Sequence, residues 1–180
     1  MSASTPAIEI RPAVDADLPR LTEIYNHYIV HTPFTFDVEP FTVERRRETW
    51  FRRYAPTGPH RCLVAAHDGD CVGFTFSSPY RPKRAYATSV ETSVYYAPGE
   101  TGRGIGRQLY EALFAALAEE DLHRAFAQIT RPNGPSERLH RRLGFELAGV
   151  WPEVGRKFDR YWDVAVWQRP IVLPGAQDGA

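Results

Sequence analysis

The sequence predicts a single α+β domain, and three observations carry that expectation. Strand and helix patterns run in the order βαα, then several strands, then αβαββ, not in the regular alternation of a parallel α/β fold. Two apolar runs meet at Asp68-Gly69, the turn chemistry of an antiparallel hairpin. From Val90 to Leu117 a strand, a glycine-rich loop and an amphipathic helix follow one another directly. The 180 residues are enough for one core without staples.

Taken in order, Ile8-Glu9-Ile10-Arg11 is a short strand, and Asp15 or Asp17 can cap a helix with Leu18, Leu21, Ile24, Tyr25, Tyr28 and Ile29 on one face. His31 to Pro40 is irregular between Pro33 and Pro40, yet its Phe34 and Phe36 are too apolar for a purely solvated loop and are expected to line a pocket. A second helix is expected over Val43 to Tyr54, with the charge run Glu44-Arg45-Arg46-Arg47-Glu48 as a solvated face without function. Arg61 to Ala66 and Cys71 to Phe76 form the hairpin. A basic, proline-interrupted loop, Ser78 to Tyr86, leads to the strand at Val90. Beyond the central helix come strands at Ala125 to Thr130, Phe145 to Val150 and Tyr161 to Trp167, with a short helix at Pro135 to Leu143. The domain is expected over 8–171, with flexible ends at 1–7 and 172–180.

Composition excludes several function classes. Formal net charge is zero, with 22 basic and 22 acidic residues, so no whole-molecule field favours nucleic acid or an anionic membrane. No stretch approaches the roughly 20 apolar residues of a membrane helix, and Met1 to Ala7 lacks an apolar core of a signal peptide, so a cytoplasmic protein is expected. Cys62 and Cys71 lack the spacing of a disulfide framework or zinc site and read as small buried hydrophobes. His27, His31, His60, His67, His123 and His140 are scattered; His27 and His31 stand four apart but without the acid of an HExxH pattern, so no metal is expected.

The loop Gly102-Arg103-Gly104-Ile105-Gly106 precedes Ile105, Leu109, Leu113 and Leu117 at helical spacing. The first amides of a helix have no intrahelical partner and sit at the positive end of its dipole, and glycines let an anion approach them. Gly106 is followed by Arg107-Gln108, which excludes a Walker loop, and no third glycine completes a dinucleotide fingerprint. From the loop alone, an anion site and a plain helix-capping turn both remain open.

Thr101-Gly102-Arg103-Gly104-Ile105-Gly106 resembles the Q/R-x-x-G-x-G/A pyrophosphate loop of the GCN5-related N-acetyltransferases, with Thr101 in the first position and Arg103 as a compensating charge. Five further stretches resemble the phosphinothricin and methionine sulfoximine acetyltransferases of that family. They are Ile24 to Ile29, Thr35 to Pro40, Ser78 to Pro82 with Ala85-Tyr86, Val90 to Tyr95, and Asn133 to Ser136 with Leu139 to Phe145; Trp167 to Pro170 fits as well.

The resemblance implies a mixed, mostly antiparallel central sheet flanked by helices, and acetyl-CoA as acyl donor. Its pyrophosphate is expected on Thr101, Gly102, Arg103, Gly104, Ile105, Gly106 and Arg107, and its pantetheine arm beside Ser93, Val94 and Tyr95. Asn133 and Ser136, at the start of the short helix, are further candidates, with a helix cap as the other reading of Asn133. Glu91 falls on the family's catalytic glutamate; alternation places this lone acid opposite Val90, Thr92 and Val94, where partial desolvation would raise its proton affinity. A salt bridge to an arginine is the plainer reading of the residue alone. His140 takes the place where the wider family has a tyrosine that protonates departing coenzyme A, and an imidazole titrating near neutrality could serve as acid or base.

Arg81 and Lys83 stand where the resemblance places a Lys and an Arg gripping the acceptor's acid group, in swapped order, with Phe36 and Tyr86 as pocket walls. The expected reaction is acetylation of the α-amine of a small amino-acid analogue, such as phosphinothricin, methionine sulfoximine or methionine sulfone, by direct transfer in a ternary complex. Two alternatives stand beside it: the same chemistry on a polyamine or protein N-terminus, and a non-catalytic acyl-CoA-binding domain. By resemblance the protein is expected to be a homodimer.

Overall fold

A computed structural model describes residues 8–100 and 102–172. Thr101 and, apart from Val172, both ends expected to be flexible lie outside the described residues. Seven strands form one sheet in the order β1-β2-β3-β4-β5-β7-β6. They are β1 Glu9–Pro12, β2 Cys62–His67, β3 Asp70–Pro79, β4 Ser89–Tyr96, β5 Arg124–Thr130, β6 Glu146–Lys157 and β7 Arg160–Pro170. Every neighbouring pair is antiparallel except β4 with β5, so the sheet is mixed and mostly antiparallel, as the resemblance implied. The parallel pair requires a crossover, which is α3, Ile105–Leu117.

Local chemistry explains the hairpin. Asp68 and Gly69 both have positive φ, 52° and 87°, the conformation of a two-residue turn whose twist matches its strands. Alternation then sends the two faces of β2 to different cores. Leu63 and Ala65 pack with Ile105, Leu109, Leu113 and Leu117 of α3, and Val64, with Phe74 and Phe76 of β3, packs with Leu21, Ile24 and Ile29 of α1, Leu18–His31. A shorter helix, α2 (Val43–Thr49), lies on the α1 side, and α4 (Gly134–Arg142) follows β5. None of these helices is long and apolar enough to cross a membrane.

Three expectations are corrected. The charge run in α2 is not a solvated face throughout: Arg46 is 1% exposed, its guanidinium 3.9 Å from the Tyr25 ring centroid and 4.0 Å from that of Trp50. The helix itself stops at Thr49, and a 3-10 turn at Phe51–Arg53 replaces its last residues. β6 continues past Val150 to Lys157; it is an edge strand, and bulges between Leu147 and Gly149 and between Trp151 and Gly155 absorb Pro152.

The feature that positions the site is a short pairing. β4 and β5 match only at Ser89 with Arg124, Val90 with Ala125 and Glu91 with Phe126, and then diverge.

Candidate active site

Where β4 and β5 part, a cleft of about 960 Å³ opens. Ser93, Val94 and Tyr95 form one wall, Ala127, Gln128, Ile129 and Thr130 the other, and Gly104 to Arg107 with Asn133 to Ser136 line one region of it. The first turn of α3 thus brings the amides of Ile105, Gly106 and Arg107 to the cleft. Gly102 and Gly104 have φ of 84° and 76°, which lets the chain turn into the helix. Gly106 is required for a different reason: a Cβ there would collide with Tyr96 Oη and come within 3.1 Å of Leu139 Cδ2. Facing strand edges that end at amides on the positive helix terminus suit a long acyl carrier with a pyrophosphate, so the residues fit coenzyme A.

The expected cofactor residues divide. Ser93, Val94, Tyr95, Gly102, Gly104, Ile105, Gly106, Arg107, Asn133 and Ser136 all line the cleft. Arg103 does not; its guanidinium pairs with Glu100 at 2.6 Å. Arg107 is engaged with Glu111, also at 2.6 Å. Asn133 caps α4, its Oδ1 accepting from the Ser136 amide at 3.3 Å, and lines the cleft at the same time. Thr101 lies outside the described residues.

Glu91 occupies the last paired position before the strands part. Burial pushes its carboxyl above the usual carboxylate range, opposed by a hydrogen bond from Gln128 Nε2 at 2.8 Å and by the positive charge of Arg81. The carboxyl is therefore partly desolvated, and its one hydrogen-bond partner among the described residues, Gln128, also lines the cleft.

His140 differs from the near-neutral imidazole that its residue type suggests. It is 3% exposed, and burial pushes it down to about 4, so the ring is neutral at pH 7. Nδ1 donates to the Ser136 carbonyl at 2.8 Å, which leaves Nε2 as the acceptor from Tyr110 Oη at 3.0 Å. Tyr110 is fully buried, burial pushes its hydroxyl well up, and it lines the cleft. Both imidazole nitrogens are occupied, and the group presented beside them is a protonated phenol.

Arg81 lies near enough to Glu91 to bias its proton, and its guanidinium stacks on Tyr80, 4.4 Å from the ring centroid. Tyr86 meets the same ring edge-on at 5.9 Å, and Tyr80 in turn stacks on Phe126 at 4.0 Å. Lys83, by contrast, is exposed in the loop. Phe36 does not line the cleft; it packs against Gly155 of β6, while Phe34 lines the cleft. Thus Glu91, Arg81 and Tyr86 belong to one neighbourhood; Lys83 touches it through its backbone carbonyl, which accepts from the Tyr86 amide at 2.9 Å, while its side chain is exposed.

Sequence reading missed Gln128, Tyr80, Phe126 and Tyr110. Gln128 could be read only as the outward residue of a strand, because its meeting with Glu91 depends on β5 returning beside β4. Tyr110 did leave a signal: it is the one hydroxyl within the apolar stripe of α3, and a buried tyrosine needs a partner.

Comparison with known proteins agrees with this geometry. Residues 21–145 match the Acetyltransferase (GNAT) family. The chain is 56% identical over 169 residues to phosphinothricin N-acetyltransferase of Streptomyces coelicolor, covering 93% of this chain and 98% of that one. It is 36% identical over 168 residues to the L-methionine sulfoximine/L-methionine sulfone acetyltransferase of Pseudomonas paraeruginosa, covering 93% and 94%. Among solved structures, a GNAT superfamily phosphinothricin acetyltransferase from Sinorhizobium meliloti in complex with acetyl-CoA superposes with a TM-score of 0.85 at 32% identity, covering 91% of this chain and 88% of that one. The chain belongs to the GNAT acetyltransferase family and is an N-acetyltransferase. Relatives named for phosphinothricin and for methionine sulfoximine are thus among the proteins it is similar to.

Proposed function

We propose that the enzyme uses acetyl-CoA to acetylate the α-amine of a small acidic amino-acid analogue of the phosphinothricin or methionine sulfoximine type, by direct transfer with both substrates bound. The observation that carries this reading is Glu91, a carboxyl of raised proton affinity beside the cationic Arg81 at the point where the strands separate. Acetyl-CoA supplies the activated acyl group. Its pyrophosphate would lie on the amides of Ile105, Gly106 and Arg107, and its arm between β4 and β5. Glu91 takes a proton from the acceptor's ammonium, directly or through a water. Arg81 and Tyr86 hold the acceptor's acid group, since a cation beside the base favours an anion-bearing amine over a polyamine.

Tyr110 keeps a proton at Oη that can serve the departing sulfur, and His140 orients that hydroxyl as a positioning residue. Direct transfer is supported by the thiols: Cys62 and Cys71 are buried in the α1-side core, the latter pushed up to about 11, and neither lines the cleft. The exposed apolar side chains Trp151, Val154, Phe158 and Tyr161 on β6 and β7 and the turn joining them support a homodimer through that end of the sheet. Sedimentation of the purified chain tests it, and a monomer at all concentrations would refute it.

The deciding experiment measures release of coenzyme A with phosphinothricin, methionine sulfoximine, methionine sulfone and spermidine as separate acceptors. Turnover confined to the amino-acid analogues is expected; turnover on spermidine alone would overturn the acceptor class. Binding of acetyl-CoA without turnover on any acceptor would favour a ligand-sensing domain.

A further inference from the structure

On α1, away from the cleft, His27 and His31 stand one turn apart on one side of the helix. Their ring centroids are 4.7 Å apart with the planes inclined at 44°. His27 is half-buried and His31 exposed, and both line a shallow groove of about 350 Å³ shared with Arg20, Glu23, Val30 and Pro98. Among the described residues His27 otherwise leans edge-on against Tyr28 at 5.9 Å, and neither histidine forms an ion pair or hydrogen bond.

Two imidazoles at i and i+4 are the arrangement by which one helix face presents nitrogens to a single ion. The ring separation fits that use. With metal–nitrogen bonds of about 2.0 Å, each ring centroid lies about 3.2 Å from the metal, and two cis ligands then have centroids about 4.5 to 5.2 Å apart. The observed 4.7 Å falls inside that window.

The remaining donors decide which ion. Among the described residues no three His, Cys, Asp or Glu groups converge to enclose a metal. Glu23 shares the groove, but its carboxylate is tied to Arg20 at 2.7 Å. The protein would supply two imidazoles and leave the other positions to water. Oxygen-seeking Mg²⁺ and Ca²⁺ find no ligand set here, and structural Zn²⁺ uses four protein ligands. Cu²⁺ heads the affinity order for imidazole and accepts an open tetragonal shell. We propose that His27 and His31 form a two-point surface chelate for Cu²⁺, with Ni²⁺ as a weaker occupant.

Its place in the fold gives the site a consequence. His31 is the last residue of α1, and Tyr28, between the two ligands, lines the acyl cleft and accepts a hydrogen bond from the Tyr96 amide at 3.3 Å. Bridging the two histidines would fasten the helix turn that presents Tyr28 to the cleft.

The test titrates the full chain with Cu²⁺, following stoichiometry by calorimetry and the ligand nitrogens by electron paramagnetic resonance. His27→Asn and His31→Asn are compared with wild type, their fold checked by circular dichroism. One strong site with two imidazole nitrogens is expected, and each variant should lose about tenfold or more in affinity because chelation becomes single-point binding. A single variant that keeps wild-type affinity overturns the site, as does wild-type binding no tighter than that of free imidazole. The histidine reading stands apart from the acetyl-transfer reading, since the readout is metal binding and not turnover.

Discussion

Glu91 holds its proton more tightly than an exposed glutamate because burial penalises the charge. As the proposed base it works only when ionised, so kcat/KM should rise with pH through a midpoint above the ordinary carboxylate value. Glu91→Gln should lose that acid limb and about 10²-fold or more in kcat. The same raised affinity means that ionised Glu91 costs stability above the unfolded-state value, so the glutamine variant should unfold at an equal or higher urea concentration at pH 7. A variant that is both inactive and markedly unstable would contradict that account. His140 carries the opposite sign. Its proton affinity is lowered on folding, to about 4, so its contribution is complete above the unfolded value near 6.5 and is lost as pH falls from there toward 4. Between pH 7 and pH 5 the wild type should lose about 2 kcal/mol more than His140→Asn in urea unfolding, if one pKa unit is worth about 1.4 kcal/mol.

At the scale of elements, the glycine loop shows what kind of information a sequence carries. The strand, the glycines and the Ile105-Leu109-Leu113-Leu117 stripe could be read directly, because each is a local pattern with a local cause. The need for glycine at 106 could not, since it comes from Tyr96 and Leu139, two other elements that close on the helix start. Gly106→Ala should therefore be destabilising by about 1 to 3 kcal/mol despite alanine's better helix propensity, and should weaken coenzyme A binding, measurable by calorimetry. The same distinction explains the other misses. Glu91 was legible as a lone acid in a strand, but Gln128 became its partner only through the crossover. Arg46 sits inside an unbroken run of charges, and composition alone gave no reason to single out one guanidinium for burial between Tyr25 and Trp50. The strand expected to end at Val150 continues past Pro152 and Gly155 because the bulges of an edge strand accommodate both, which no local pattern announces.

For the whole molecule, the measurable quantity is linkage between the acyl carrier and the fold. Coenzyme A at about 100 times its Kd should add about 2.7 kcal/mol, or about 5 to 10 °C in Tm for a chain of this size. Thermal unfolding with and without coenzyme A checks this, and an unchanged Tm would argue against the cleft as its site.

The three matched positions between β4 and β5 carry a final consequence. They divide the sheet into two plates, β1 to β4 and β5 to β7, held by a narrow seam and by the α3 connection. Past the seam, the edges of Ser93 to Tyr95 and of Ala127 to Thr130 face each other across open space, so the two plates can flex against one another in a way a continuous ladder would forbid. A bound acyl carrier that bridges those edges does the work of the missing rungs. Catalysis and mechanical continuity of the sheet would then rise together, and slower amide exchange along Ser93 to Tyr95 would report the moment at which two plates become one.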